Sequence, residues 1–174
     1  MSSPITFQVR PATSQDAPHI AELYAATAKE AFQSMRTGSP VPPMPVIKST
    51  AFWREAIQYA EPQVQVAVAD GRLIGFVGFD RSRDPGTPNT LGEIWDIYVN
   101  PSHWSQGVGL ALWDAAREGL QEEGCTHVAI WLPIANDRAM RFHELAGFKR
   151  EMNTAKTVPM GPVKVEEIRL KQAL

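Results

Sequence analysis

The sequence is poor in cysteine, since Cys125 is the single one among 174 residues. A disulfide requires two cysteines and a thiolate metal site usually requires several, so an internal disulfide framework and a multi-cysteine metal centre are excluded. We expect no metal in the functional site. Cys125 follows Gly124 and precedes an apolar run, which predicts a small buried residue at the entry to a strand.

Long apolar runs are also missing. No segment approaches the roughly 18 consecutive apolar residues of a membrane-spanning helix. The first ten residues, MSSPITFQVR, lack the basic and apolar regions of a secretory leader. These absences predict a soluble cytoplasmic protein with no membrane partner.

The chain has no marked excess of charge of either sign. It contains 17 lysine and arginine residues against 19 aspartate and glutamate residues, for a formal net charge of −2. These charges are spread along the sequence, and no basic stripe indicates a nucleic-acid partner. With 44% hydrophobic residues, the chain fits a single domain, 1–174, that is large enough to bury an apolar core.

The stretch 91–116, LGEIWDIYVNPSHWSQGVGLALWDAA, has the most specific pattern. Alternating β-branched and aromatic residues over 93–99 predict a strand, and apolar residues at helical spacing predict a helix further on. Between them, Gly107 and Gly109 lack a Cβ, which permits positive φ and close approach of the backbone to an anion. A helix N-terminus attracts phosphate because its first N–H groups lack intrahelical partners.

The rest of the chain alternates between strand and helix patterns. Thr13 and Asp16 form a variant of the capping box before an amphipathic helix, and Asp70-Gly71 is typical of a type I′ hairpin turn. The predicted order is β-α-α-β-β-β-α-β-α-β-β. Strands are predicted at 5–9, 64–68, 73–79, 93–99, 127–132, 148–157 and 164–170, and helices after Thr13, at 50–60, after the glycine loop and at 136–145.

Two motifs resemble those of the GNAT N-acetyltransferases. PSHWSQGVG has the spacing of that family's Q/R-x-x-G-x-G/A loop, and NDRAMRFHELAGFKR, 136–150, is similar to its N-x-x-A-x-x-F-Y-x-x-x-G-F segment. The resemblance covers nearly the whole chain and implies a mixed α/β fold, in which a splayed central sheet flanked by helices admits acetyl-CoA. It further implies direct acetyl transfer to a primary amine of a small molecule or peptide, without a metal, and makes a homodimer plausible.

The resemblance also implies which residues bind acetyl-CoA. Main-chain groups of Ile97, Tyr98 and Val99 would pair with the pantetheine amides and offer an N–H to the thioester carbonyl. Asn136 matches a family position that contacts the cofactor. A helix N-cap is its other role, and the two roles are compatible. The pyrophosphate would bind the backbone of the loop that contains Trp104, Ser105, Gln106, Gly107, Val108, Gly109 and Leu110.

Three residues depart from the family pattern. Trp104 stands where Gln or Arg is usual, and Ser105 where a further Gly is common. His143 stands where the family usually has a Tyr proposed to protonate the departing thiolate. Because histidine titrates near neutrality, His143 is predicted to serve as that acid and to line the cofactor site. In the alternative, solvent, Tyr98 or another group protonates the thiolate and His143 only lines the sulfur pocket.

A base or a water chain is expected because a lysine-like amine, with a pKa of about 10.4, is protonated at neutral pH. Glu93 falls at the glutamate position of the family's histone-acetylating branch and is our first choice, with Asp96 second. For either residue, a solvated or salt-bridged strand carboxylate is the alternative. Strand parity places Glu93 on the face of Ile97 and places Asp96 on the opposite face, with Ile94.

Two further expectations concern the surroundings of the site. Four prolines within 40–45 exclude a regular helix or central strand there. In GNAT relatives this region shapes the acceptor site, so we hypothesise a substrate lid, with a rigid spacer as the alternative. The aromatic residues predicted to lie in the core are Trp113, Trp131, Phe142 and Phe148.

Two rival functions differ in class from an acetyltransferase. A non-catalytic acyl-CoA-binding or sensory module would keep the glycine loop and lose the acid and base. A Rossmann-type nucleotide site is disfavoured because GVG lacks the full G-x-G-x-x-G pattern and no early βαβ unit precedes it. The sequence does not identify the acceptor amine or the preferred acyl chain.

Overall fold

The computed structural model describes residues 4–34, 48–160 and 163–174. Within these residues, strands and helices follow the predicted order. The strands are β1 (Gln8–Pro11), β2 (Gln63–Ala69), β3 (Arg72–Arg81), β4 (Leu91–Val99), β5 (His127–Pro133), β6 (Lys149–Met160) and β7 (Val163–Ala173), and the helices are α1 (Ala17–Ser34), α2 (Thr50–Tyr59), α3 (Val108–Glu122) and α4 (Asp137–Leu145). The proline-rich segment 40–45, and with it the lid hypothesis, lies outside the described residues.

All of these strands form one mixed sheet, in the order β1-β2-β3-β4-β5-β7-β6. Neighbours are antiparallel except β4 and β5, which are parallel. Their register covers only Leu91 to Glu93 against His127 to Ala129. Beyond Glu93, β4 stays paired with β3 as far as Val99 while β5 continues beside β7. The sheet therefore opens between β4 and β5, which confirms the predicted splay.

The sheet carries a layer of apolar residues on each face. On one face, α3 and α4 pack through residues such as Leu112 and Met140 onto Phe79 and Ile94. On the other, α1 and α2 bury Trp53 and its neighbours against β2 and β3. Burial of both faces explains why the central strands read as nearly continuous apolar runs.

The predicted helix cap, hairpin turn and buried cysteine are all present in the structure. The carboxylate of Asp16 accepts the backbone N–H of Thr13 at 2.7 Å and two hydrogen bonds from the Arg10 guanidinium. Asp70 and Gly71 have φ values of 50° and 73°, as a type I′ turn between β2 and β3 requires. Cys125 is buried at the entry to β5, as expected.

Strand β4 contains an irregularity that the sequence pattern does not reveal. Gly78 of β3 pairs with Asp96, and the next residue, Phe79, pairs with Ile94. Trp95 is therefore an extra residue on β4 with no partner on β3. Such a β-bulge resets the alternation of side chains along the strand.

The bulge changes which side chains share a face of the sheet. Ile94 before it and Ile97 after it both pack in the apolar layer under α3. Gly92 also faces α3, because a Cβ built there would meet a leucine of that helix at 2.7 Å. Glu93, between Gly92 and Ile94, therefore points to the opposite face, where Asp96 also lies. The prediction that these two carboxylates lie on opposite faces was wrong, because it assumed an unbroken strand.

The C-terminal hairpin and two core assignments also differ from expectation. The strands predicted here end at 157 and resume at 164, yet Val158, Pro159 and Met160 still pair with β7. A proline is tolerated there because β6 is an edge strand of the sheet, where a missing amide breaks no ladder on the outer side. Trp113 and Phe148 are core residues as predicted. Trp131 and Phe142 are only partly buried.

Candidate active site

The opening in the sheet exposes backbone groups of β4. The N–H of Asn100 donates to Ile74 of β3 at 2.8 Å, so the preceding residue, Val99, directs its peptide groups away from β3. Because peptide directions alternate along a strand, the N–H and C=O of Ile97, two residues earlier, point the same way. Both residues thus face the gap between β4 and β5, as expected for a segment that pairs with an extended ligand.

The glycine loop forms a turn that presents the start of α3 to solvent. Ser105 and Gly107 adopt left-handed conformations, with φ values of 61° and 84°. Helix α3 begins at Val108 with Gly107 as its N-cap, and Ser105, Gln106, Gly107 and Leu110 are exposed. The first amides of α3 are therefore free to bind an anion.

Gly109 differs in its role from Gly107. It lies inside α3, and a Cβ added there would approach the ring of Phe142 to 3.1 Å. An added Cβ at Gly107 would meet nothing within 4 Å, so Gly107 is required by its positive φ alone. The structure thus assigns the two glycines to different tasks, namely turn conformation at Gly107 and close helix packing at Gly109.

Trp104 connects the loop to the edge of β4. Its indole N–H donates to the carbonyl of Val99 at 2.8 Å, and the guanidinium of Arg138 lies 3.5 Å from its ring centroid. The tryptophan therefore packs on the sheet edge and brings a cation from α4 to the glycine loop. Arg138 was missed from the sequence, because nothing in its spacing shows that α4 begins next to this loop.

Asn136 and His143 lie at opposite ends of α4. The side chain of Asn136 accepts the N–H of Ala139 at 3.2 Å, so it is an N-cap, and its contact with a cofactor stays a prediction. His143 is buried and packs against Phe142 and Phe148.

The environment of His143 argues against the predicted role of acid. Its Nδ1 lies 2.8 Å from the carbonyl of Ala139, and because a carbonyl only accepts, Nδ1 carries the proton and donates. Burial lowers the pKa of His143 to about 4, although the bond to Ala139 partly opposes this shift. The imidazole is therefore neutral near pH 7, and its one N–H is already engaged. This arrangement favours the alternative in which another group protonates the thiolate.

Glu93 is buried and bound by Arg83. One carboxylate oxygen accepts the backbone N–H of Arg83 at 2.9 Å, and the other accepts its guanidinium. That guanidinium also lies 4.2 Å from the ring centroid of Trp95. Glu93 thus takes the salt-bridged state that was considered as the alternative to a free base, and it anchors the loop between β3 and β4.

Asp96 is buried on the same face, beside a lysine. The Nζ of Lys48 lies 2.5 Å from Oδ2 of Asp96, so Asp96, like Glu93, takes the salt-bridged state that was considered as the alternative to a free base. Burial raises the pKa of Asp96, while the ammonium of Lys48 acts in the opposite direction. A carboxylate with a raised pKa binds a proton more readily than an exposed aspartate does. Lys48 was missed from the sequence because 48 residues separate it from Asp96.

Two tyrosines stand next to this carboxylate. Tyr24 and Tyr98 are in edge contact, with ring centroids 5.5 Å apart. Burial and the charge of Asp96 raise the pKa of Tyr24 to about 12 and raise that of Tyr98 further. Both phenols therefore remain protonated at neutral pH.

A polar cluster extends beyond Glu93 toward the C-terminal strands. The indole N–H of Trp131 donates to Asp84 at 3.0 Å, and Arg169 binds both Asp84 and Glu151. Trp131 was predicted to be a core residue, and this cluster explains why it is only partly buried. Its indole N–H needs a partner and finds one in a carboxylate on the β3–β4 loop.

Among the described residues, no group of three or more histidine, cysteine, aspartate or glutamate side chains is arranged to hold a metal ion. No described helix is long and apolar enough to cross a membrane.

The arrangement as a whole combines three chemical capacities. Exposed amides at the start of α3 can hold an anionic group. The peptide groups of Ile97 and Val99 can pair with an extended ligand in the gap. Asp96, next in the chain to Ile97, can accept a proton. The peptide groups of Ile97 and Val99 lie at the edge of β4 that faces the opening, and the Asp96 side chain lies on the face that carries α1 and α2.

Comparison with known proteins agrees with this geometry. The family described as acetyltransferase (GNAT) matches residues 22–148. Over 97 residues the chain is 29% identical to mycothiol acetyltransferase from Propionibacterium freudenreichii, covering 56% of this chain and 30% of that protein. The chain thus spans about a third of the length of the first curated relatives it matches.

Solved structures show the same fold over nearly the full length. The PaiA N-acetyltransferase of Thermoplasma acidophilum in complex with coenzyme A superposes with a TM-score of 0.77 at 16% identity, covering 98% of this chain and 100% of that one. The acetyltransferase yncA of Salmonella typhimurium, solved with acetyl-CoA, gives 0.71 at 20% identity, with 97% and 94% covered.

Proposed function

Because the chain belongs to the GNAT acetyltransferase family, we propose that it transfers an acetyl group from acetyl-CoA to a primary amine of a small molecule or peptide, by direct attack. The observation that carries this proposal is the opening between β4 and β5, at the edge of the strand that carries the buried carboxylate of Asp96. The 174 residues act as a single domain in this proposal. A homodimer and a cytoplasmic location stay predictions.

Binding of acetyl-CoA is assigned mainly to main-chain groups. The first amides of α3, from Val108 to Leu110, hold the pyrophosphate, and the positive φ of Gly107 sets their direction. Arg138, stacked on Trp104, adds a positive charge beside these amides. Ile97 and Val99 pair with the pantetheine amides in the gap, and an N–H of this edge stabilises negative charge on the thioester oxygen. Bound acetyl-CoA supplies the reactive thioester.

The amine proton passes to Asp96 in this mechanism. Support comes from its burial and raised pKa, and from its place directly before Ile97. Glu93, our first choice from the sequence, becomes a positioning residue, because Arg83 occupies both of its oxygens. The acceptor ammonium first loses one proton to Asp96, which frees the lone pair for attack. As the new N–C bond forms and the C–S bond breaks, the nitrogen loses its second proton to solvent, and the leaving thiolate takes one proton from solvent.

A second candidate is a non-catalytic acyl-CoA-binding module. It is favoured by one observation, the burial of His143 in a neutral state at the family's tyrosine position. Both candidates bind acetyl-CoA, but only the acetyltransferase turns it over.

The test is acetyl-CoA binding by calorimetry, followed in the same preparation by thiol release against a panel of small amines and peptides. Binding with thiol release on one amine class supports the acetyltransferase. Binding without thiol release on any amine, with Asp96→Asn indistinguishable from wild type, supports the non-catalytic module. Absence of acetyl-CoA binding contradicts both candidates.

A further inference from the structure

The ammonium group of Lys48 is enclosed by aromatic rings as well as by a carboxylate. Its Nζ lies 5.5 Å from the ring centroid of Tyr24, 5.4 Å from that of Phe52 and 5.5 Å from that of Trp53. On the remaining side, Asp96 lies 2.5 Å away. We name Tyr24, Phe52, Trp53 and Asp96 the ammonium box.

The walls of the box are fixed by their own packing. Trp53 is fully buried, and its ring meets those of Tyr24, Phe52 and Phe76 in edge contacts with centroids 5.1 to 6.0 Å apart. The bulge at Trp95 places Asp96 on this face of the sheet. The rings and the carboxylate therefore come from α1, α2 and β4, which are held independently of Lys48.

The chemistry of the box suits a protonated alkylamine. Aromatic faces attract cations through their quadrupole, and the attraction strengthens when the site is shielded from water. A single buried carboxylate supplies the opposite charge and accepts a hydrogen bond from the ammonium. The alkyl stem of the amine can lie along the rings, as the stem of a lysine does.

Lys48 occupies the box from a position outside any helix or strand. It lies directly before Ser49, the N-cap of α2, and its side chain retains 20% exposure. Phe52 is 38% exposed, so one wall of the box borders solvent. Among the described residues, this side beside Phe52 and Lys48 is where an amine from solution would enter the box.

We propose that the ammonium box is the recognition site for the acceptor amine, that the acceptor is a protonated primary alkylamine, and that Lys48 is an intramolecular occupant which the acceptor displaces. This inference rests on the proposed acetyl transfer, because it places the acceptor nitrogen at Asp96, next to the Ile97 peptide. The box then selects a cation with an unbranched alkyl stem and disfavours neutral and anionic acceptors.

The first test uses the unchanged protein, with n-pentylamine as the probe and n-pentanol as its uncharged analogue. Lysine labelled with ¹³C at the ε position reports Lys48 by NMR, and the signal is assigned with Lys48→Arg. Ring currents from three aromatic faces displace this signal from that of an exposed lysine. We expect pentylamine to return it, in a saturable manner, toward the exposed value, and we expect pentanol to leave it unchanged.

Lys156 is the internal control, because its ammonium lies 4.0 Å from the ring centroid of Trp131 and outside the box. Its signal should not move with either probe. A Lys48 signal that ignores pentylamine up to high millimolar concentration would overturn the proposal. So would equal responses of Lys48 and Lys156.

The second test removes the occupant. Lys48→Met keeps the length of the side chain without its charge, and calorimetry with pentylamine in the absence of acetyl-CoA should show at least tenfold tighter binding than in wild type. Lys156→Met should bind like wild type, and the double variant Lys48→Met, Asp96→Asn should lose the gain. A Lys48→Met protein that folds but binds pentylamine no better than wild type contradicts the proposal. If that variant does not fold, the NMR titration decides.

These measurements separate the two proposals. Amine binding in the box is measured without acetyl-CoA, whereas acetyl transfer is measured by thiol release. Pentylamine binding in the box without thiol release on any amine would refute the transferase and keep the box as an amine site. Thiol release on amines that leave the Lys48 signal unmoved would keep the transferase and refute the box.

Discussion

The ammonium of Lys48 and the carboxylate of Asp96 form an ion pair at 2.5 Å, joining the residue before the N-cap of α2 to the middle of β4. Asp96 is buried on its other sides, so in the folded protein its charge is balanced chiefly by this one lysine. The pair lies on the face of the sheet that carries α1 and α2, beside Tyr24 and Trp53.

Replacing Asp96 with asparagine should slow acetyl transfer. The variant removes the group that accepts the amine proton, and loss of a general base typically lowers kcat by about 10²- to 10⁴-fold. Acetyl-CoA affinity, measured by calorimetry, should stay close to that of wild type because the α3 N-terminus is untouched. Glu144→Gln, at an exposed carboxylate paired with Arg150, is the matched control. An Asp96→Asn enzyme with wild-type kcat would remove Asp96 from the mechanism.

The Glu93–Arg83 pair should contribute measurably to stability. In Arg83→Met, Glu93 stays buried at 1% side-chain exposure without its cation, which we expect to cost about 2 kcal/mol of unfolding free energy. Arg150→Met breaks an exposed pair and should cost less than about 1 kcal/mol. Urea denaturation at neutral pH measures both. If Arg83→Met and Arg150→Met lost equal unfolding free energy, the buried pair would stabilise the fold no more than the exposed pair does.

Replacing His143 with phenylalanine should leave the catalytic pH profile unchanged. Because the imidazole is neutral near pH 7 and its N–H is bound to Ala139, it has no proton to give to the thiolate. We expect kcat within about threefold of wild type from pH 6 to 9, since a lost general acid typically costs at least about 10²-fold. If His143→Phe lost the decline of kcat at high pH, or if its kcat fell by about 10²-fold or more, His143 would again be assigned as the acid.

The same variant should change how stability depends on pH. The folded-state pKa of His143 is about 4, below the unfolded value of about 6.5. The unfolded chain therefore binds more protons between these values, and stability falls as pH drops from 6.5 toward 4. The slope from this group is at most about 1.4 kcal/mol per pH unit. Urea denaturation at several pH values should show a shallower acid decline in His143→Phe than in wild type, and parallel curves would contradict the assignment.

Replacing Gly107 with alanine should destabilise the protein, although the structure has space for the added methyl group. An added methyl group has open space, but φ of 84° strains any residue with a Cβ by about 1 to 2 kcal/mol. Gly107→Ala should lose about that much stability and bind acetyl-CoA more weakly. Ser105→Ala is the matched control, because Ser105 already has a Cβ at φ 61° and should change by less than about 0.5 kcal/mol. Wild-type stability in Gly107→Ala would show that the turn relaxes.

Sequence reasoning succeeded where a local interaction determines the outcome. The hairpin at Asp70-Gly71, the capping carboxylate of Asp16 and the glycine turn before α3 each depend on residues within a few positions of one another. The order of strands and helices could be predicted for the same reason, since each element has its own hydrophobic period. The family motifs then predicted that the central sheet would be splayed.

Predictions failed where an outcome depends on pairing between distant segments. The bulge at Trp95 arises from the register of β4 against β3, and it alone puts Glu93 and Asp96 on one face. The partner of each carboxylate comes from another part of the chain, Arg83 from the β3–β4 loop and Lys48 from the start of α2. Hydrophobic periodicity carries no information on such charge partners.

The sequence by itself therefore determined the elements, the family motifs and the glycine turn at Gly107, because backbone conformation and side-chain period are encoded locally. Only the tertiary structure decided the chemical state of the side chains. Burial among Phe142 and Phe148 makes His143 neutral, Arg83 occupies Glu93, and three aromatic rings close around Lys48 at Asp96. A side chain's pKa and partners depend on solvent exclusion and on distances across the fold, and these exist only once the helices have packed on the sheet.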